Sequence, residues 1–273
     1  MNWTECIYEY DGSYHGLLCC VFDSYTRKER PIAISITGDT QTSLYPVHFV
    51  QTDILHARRI LKSLSLKSSK AASLVKQSYL TCLPEKELLI YHFICKLYDE
   101  GPDFVKNPTD PALYLLHTAI RHMSGELEKL RGFIRFSEFN GFYAAEIEPK
   151  NRVLPALRNH FCSRFADQPF LIYDRTHKEA LLYANGHWKI TPLDSFEMAR
   201  PDKNEAQYRT LWKTFYDTIA IKERTNPHCQ RTQMPLRYRN TMTEFQNTDY
   251  FIEQETQLTT AMPTPLTAGN KIS

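Results

Sequence analysis

The chain has 273 residues, 42 % of them apolar and 23 % charged, with a formal net charge of +2. That length suffices for one large core or two modest ones. A balance so near neutrality excludes polyanion affinity spread over the whole surface, so any such affinity must come from a local patch.

No uninterrupted apolar run approaches the roughly 20 residues of a membrane helix. The opening twelve residues, MNWTECIYEYDG, are acidic and lack the cationic-then-apolar order of a secretory leader. The seven cysteines, Cys6, Cys19, Cys20, Cys82, Cys95, Cys162 and Cys229, are scattered and mostly lie in apolar-periodic stretches, where a thiol packs as a small hydrophobe. A cytoplasmic, reduced protein without membrane attachment is expected.

Along the chain, a strand is predicted at Cys6–Tyr10 and broken by Asp11-Gly12. A helix from Ser13 to Arg27 follows, then strands near Ile32–Ile36 and Tyr45–Val50. Asp53 can cap a helix whose apolar positions, Ile54, Ala57, Leu61 and Leu64, recur at helical spacing, and a second helix carries Leu74, Val75 and Tyr79. Pro84 with Glu85 and Glu87 marks another helix start, ended by Gly101-Pro102. Asp110-Pro111 opens a helix whose stripe, Leu113, Leu116, Ile120, Met123, Leu127 and Leu130, keeps to one face. From Gly132 the period turns to that of strands. Asn140-Gly141 and Asn185-Gly186 mark two hairpins, since both central residues of a type I′ turn need positive φ. Five short strands around a helix at Leu154–Phe165 give an antiparallel sheet. A closing helix, Asn204–Ala220, carries the stripe Tyr208, Leu211, Trp212, Phe215 and Ile219, expected to dock on the core.

The fold class is therefore α+β: an N-terminal α/β segment and helical block over residues 1–83, then a small antiparallel sheet with packed helices over 84–245. Residues 246–273 lose periodicity, fill with Thr, Pro and Gln, and are expected to be a disordered tail.

From Lys222 to Arg239 the cations Lys222, Arg224, Arg231, Arg237 and Arg239 face Glu223 alone, and Pro227 and Pro235 interrupt a regular helix. One reading is an extended, proline-stiffened segment whose guanidinium groups grip phosphates while Tyr238 stacks on a base. The other is a strap over the core with its arginines paired to nearby acids.

Further candidates lie upstream. His160 and Arg164 stand one helical turn apart with Arg158 near, a face able to hold phosphate, unless His160 simply packs beside Phe161. Arg131 and Arg135 flank Gly132 and Phe133. Strand alternation there would put Phe133, Arg135, Ser137 and Phe139 on one face, like a nucleic-acid sheet platform. The polar loop Asp174, Arg175, His177 and Glu179 could move protons or be an ordinary turn.

Nothing in the spacing names a reaction. There is no phosphate loop, nucleophile elbow, zinc-ligand spacing or deaminase signature, so neither metal nor cofactor is expected.

Several phrases together suggest a family: YDGSYHGLLCCVFDSY, RGFIRFSEFNGFYAAEIEP, RNHFCSRFADQPFLIYD and WKTFYDTIAIKERTNPHCQRTQMPLRYRNTMTEF. The most specific are the His160, Phe161, Arg164, Phe165 run and the pattern from Glu223 to Tyr238. From about Ile7 to Phe245 the chain resembles the bacterial family assigned to DNA repair or DNA metabolism, whose C-terminal part is a domain of unknown function. Arg239 departs from it, standing where an aromatic would follow Tyr238. Members are typically encoded beside a radical-SAM protein of DNA-repair type, and some are fused to a uracil-DNA-glycosylase-like domain. The chain lacks the C-x-x-x-C-x-x-C run that would hold a radical-SAM cluster. The resemblance therefore implies a DNA-binding protein acting with a radical-SAM partner. The alternatives are a nuclease or glycosylase-like enzyme built on His160, Asp174 and Glu179, or a protein–protein adaptor.

Overall fold

A computed structural model describes residues 3–38, 43–107, 109–139, 141–198, 203–219 and 226–245. Lys222, Glu223, Arg224, Asn140 and the predicted tail 246–273 lie outside the described residues. The mixed content is α+β, with a three-stranded and a five-stranded sheet. The chain divides into two compact units, residues 1–130 with 149–157, and residues 131–148 with 158–273.

In the first unit β1 (Thr4–Tyr10) lies between β2 (Glu29–Ile36) and β3 (Val47–Phe49), both parallel to it. The even residues Cys6, Tyr8 and Tyr10 are wholly buried, because a strand's alternation commits one face to the core. α1 (Tyr14–Arg27) starts at Ser13, whose hydroxyl accepts the Gly16 N–H. No larger residue fits at Gly16, where a Cβ would stand 2.3 Å from an Asp11 carboxylate oxygen and 2.9 Å from the Tyr10 ring.

Helices α2 (Ile54–Lys67), α3 (Ser69–Tyr79) and α4 (Lys86–Glu100) follow. Asp53 caps α2 as its position predicts, Oδ1 accepting the Leu55 and His56 N–H groups. Of α4, Ile90, Tyr91, Phe93, Ile94 and Leu97 enter the same core as Tyr8, Leu17 and Leu18. Packing thus joins residues beyond 83 to the N-terminal elements, so the compact units do not divide at the predicted boundary.

Helix α5 (Pro111–Phe133) buries Leu113, Leu116, Met123 and Leu130 of its predicted stripe. It also buries Glu126, whose carboxylate accepts the Lys150 N–H, the Asn151 N–H and the Asn151 side-chain amide. A polar residue sits inside because three donors meet it there.

The second unit's sheet runs β4 (Ser137–Phe139), β5 (Phe142–Ile147), β6 (Phe170–Asp174), β7 (Glu179–Ala184) and β8 (His187–Pro192), in that spatial order. Its pairs are antiparallel except β5–β6, which are parallel. The expectation of a wholly antiparallel sheet is corrected there. The physical reason is α6 (Leu154–Arg164), the crossover that a parallel pair requires. Central β6 is buried at all five positions. Asn185 and Gly186 take φ of 49° and 78°, as the predicted hairpin demands.

Candidate nucleic-acid interface

In the second unit, Phe161 on α6 and Phe165 just past its end reach Phe136 with ring centroids 5.5 and 4.8 Å away, and Phe136 in turn lies 5.8 Å from Phe170. This aromatic core explains the two phenylalanines of the His160–Phe165 run as packing residues. The His160 ring stands edge-on to Phe161 at 4.8 Å and is half-buried, while Arg164 is exposed. Arg158 lies 4.1 Å over the Trp188 ring of β8 and donates to the Asn159 side chain.

The sheet platform around Arg135 is corrected. α5 continues to Phe133, so Phe133 and Arg135 do not alternate along a strand. The Arg135 guanidinium instead makes a bidentate pair with Glu244, at 3.2 and 2.8 Å, whose side chain is almost fully buried. A buried carboxylate needs such a partner. The Arg135 planar face remains 5.6 Å from the Trp212 ring centroid. Arg131 is half-buried near the end of α5.

Helix α7 (Lys203–Ile219) differs from its sequence expectation. Its first turns are pinned by a polar network: Glu205 accepts Arg209 Nε at 2.8 Å and the Glu138 N–H at 3.3 Å, and Arg209 also donates to the Ser137 hydroxyl. The apolar stripe expected to dock on the core is turned outward, with Tyr208, Leu211, Phe215 and Ile219 each more than half exposed and Trp212 40 % exposed. Trp212 and Phe215 stack at 5.7 Å. Beside them is a groove of about 400 Å³ lined by Gly132, Arg135, Phe136, Tyr208, Trp212 and Thr243.

The described part of the cationic segment, from Asn226, is helical rather than extended. Asn226 caps α8 (Pro227–Gln233) by accepting the Cys229 N–H, with Pro227 in the first turn, where a missing N–H costs nothing. α9 (Leu236–Arg239) follows Pro235. Arg231 and Arg237 are exposed and Arg239 is half-buried over the Phe245 ring at 4.9 Å. Tyr238 is only 3 % exposed, packed on Phe133 at 5.4 Å. That burial corrects its role as a base-stacking ring. The Arg237 guanidinium lies over the Tyr238 ring and donates to its hydroxyl.

Near the end of α5, Arg135 therefore contacts Glu244 and Trp212, and Tyr238 contacts Phe133 and Arg237. Arg158 belongs to another neighbourhood, facing β8. The exposed aromatic residues Tyr208 and Trp212 are the part that sequence reasoning assigned to the core. The nearest signal was the Glu205–Arg209 pair at helical spacing, which gave the helix a polar means of attachment.

Of the two readings of the Asp174–Glu179 loop, the structure has the turn. Asp174 Oδ1 accepts the Thr176 and His177 N–H groups, and Oδ2 meets His177 Nδ1 at 2.7 Å. Arg175 pairs with Glu146.

These features define an α+β protein with an aromatic and cationic surface in its second unit. The chain belongs to the family of a domain of unknown function, DUF4130, which matches residues 84–244. No curated protein and no solved structure matches the chain. Among the described residues no helix is long and apolar enough to cross a membrane.

Proposed function

We propose that this protein binds DNA through its second unit and serves DNA repair or DNA metabolism beside a radical-SAM enzyme that performs the covalent chemistry. The observation that carries the reading is the outward aromatic stripe of α7 flanking a groove that also holds the Arg135 guanidinium. Tyr208 and Trp212 offer faces to unpaired bases, and exposed Arg231 and Arg237 supply phosphate contacts. The resemblance of residues 7–245 to DNA-repair proteins supports the biological setting, and seven free thiols suit a reducing cytoplasm.

The test is a salt titration of binding to single-stranded and duplex oligonucleotides. Arg231→Ala and Arg237→Ala should each flatten the slope of log affinity against log salt by about 0.7 on single strands and 0.9 on duplex. A slope unchanged by both substitutions rejects the interface.

Leu211 and Ile219, both more than half exposed, favour a second reading, an adaptor that docks a partner protein on α7. In that case Leu211→Ser and Ile219→Ser abolish capture of the radical-SAM partner while DNA binding is absent or lacks salt dependence.

A further inference from the structure

In the first unit three strands bring together side chains far apart in sequence. Tyr8 of β1 pairs with His48 of β3, and Thr4 of β1 pairs with Glu29 of β2. Side chains paired across parallel strands share a face, and Cys6 lies between Thr4 and Tyr8 at the two-residue period of that face. A register shift between Cys6 and Ile7 adjusts the diagonal. The consequence is convergence: His48 Nδ1 stands 3.1 Å and Cys6 Sγ 4.0 Å from the same Glu29 oxygen, Oε2. All three donor atoms fall within 4.8 Å of one another.

We propose that Cys6, Glu29 and His48 form a binding site for a divalent zinc-type cation. A tetrahedral Zn²⁺ with ordinary bond lengths separates an oxygen and a nitrogen ligand by about 3.3 Å, and an oxygen and a sulfur ligand by about 3.6 Å. The two distances to Glu29 need shifts of a few tenths of an ångström, and Cys6 Sγ and His48 Nδ1, within 4.8 Å of each other, close to about 3.6 Å around the ion. The donor set selects the metal: a thiolate disfavours Mg²⁺ and Ca²⁺, and thiolate, imidazole and carboxylate together suit Zn²⁺. Three protein ligands leave the fourth vertex to water. Cys6 is buried, whereas the His48 side chain is 34 % exposed and opens a route for the ion. On binding, the Cys6 S–H bond is lost to solvent as a proton and an S–metal bond replaces it.

Tyr8 is the positioning residue. Its hydroxyl donates to Glu29 Oε2 at 2.9 Å, the kind of outer contact that fixes a ligating carboxylate. The Arg27 and Asp23 pair on α1 lies close enough to act electrostatically on Cys6 and Glu29.

The experiment is a Co²⁺ titration of the chelator-treated full chain, with the exposed thiols Cys82 and Cys229 changed to Ser. One equivalent should bind, with a near-ultraviolet thiolate-to-metal band and the intense visible bands of tetrahedral cobalt. Cys6→Ser should remove the thiolate band and His48→Gln should abolish or sharply weaken binding. Tyr8→Phe should lower affinity about 10–100-fold with the spectrum retained. A thiolate band that survives Cys6→Ser, or no saturable binding at all, overturns the site and leaves a hydrogen bond between His48 and Glu29. If Cys6→Ser does not fold, His48→Gln decides, since that partly exposed side chain can change without opening the core.

Discussion

Asp11, Asp53 and Asp110 each stand at a helix start in the first unit and accept backbone N–H groups, from Ser13, from Leu55 and His56, and from Leu113. Burial would raise Asp110, but Lys96 and the Leu113 N–H outweigh it and hold the carboxyl below its usual range. Burial likewise opposes, without overcoming, the hydrogen bonds that lower Asp11. Asp53 is lowered by the His56 and Leu55 N–H groups. With folded values depressed, the unfolded chain binds protons that the native state does not. The stabilisation is then complete above the unfolded value of about 4 and is lost as pH falls through the folded values. Asn keeps a cap without the charge. Asp110→Asn should therefore cost about 1 kcal/mol at pH 7, Lys96 being 42 % exposed and the pair screened. Urea midpoints measured from about pH 7 to 3 should converge with those of the parent chain. Caps of this kind are legible because cap and helix are neighbours in sequence. Glu126 was not, since its donors at Lys150 and Asn151 arrive from a distant loop, and no zinc-ligand spacing reveals Cys6, Glu29 and His48, which meet only through strand register.

At the scale of elements, the α7 stripe was legible as helical periodicity, but periodicity does not say what an apolar face touches. Here the polar pin at Glu205 and Arg209 decides the rotation of the helix. Asn226-Pro227 was misread for a related reason: proline breaks a helix interior, yet the same pair opens one when Asn caps and Pro follows. Two substitutions separate attachment from display. Tyr208→Ala, at a residue 67 % exposed, should change the unfolding free energy by no more than about 0.5 kcal/mol. The same change should weaken single-strand binding by about 1–3 kcal/mol. Glu205→Ala strips a buried partner from Arg209 and should destabilise by about 3–5 kcal/mol. Thermal melts and fluorescence titration of both variants check this. A Tyr208→Ala protein that melts early would place the ring in packing rather than display.

At the scale of the molecule, the stretch matched by the family does not coincide with either compact unit. The match begins at residue 84, just ahead of α4, whose Ile90, Tyr91, Phe93, Ile94 and Leu97 are 0–2 % exposed in a core completed by β1, α1, α2 and α3. The hairpin at Asn185-Gly186 could be read from two adjacent residues. This larger division could not, because long-range contacts make it and periodicity only identifies which face is apolar. Cutting the chain at residue 84 would strip those five side chains of their cover, at about 1.5–3 kcal/mol each, a loss of the same size as the 5–15 kcal/mol that typically holds a domain folded. A fragment of residues 84–245 is therefore expected to expose apolar surface, bind a hydrophobic dye and lose its cooperative melt, whereas the full chain melts cooperatively. A fragment that is soluble and melts sharply would mean that α4 finds its core without the N-terminal strands. The region shared by the family would then be an autonomous folding unit.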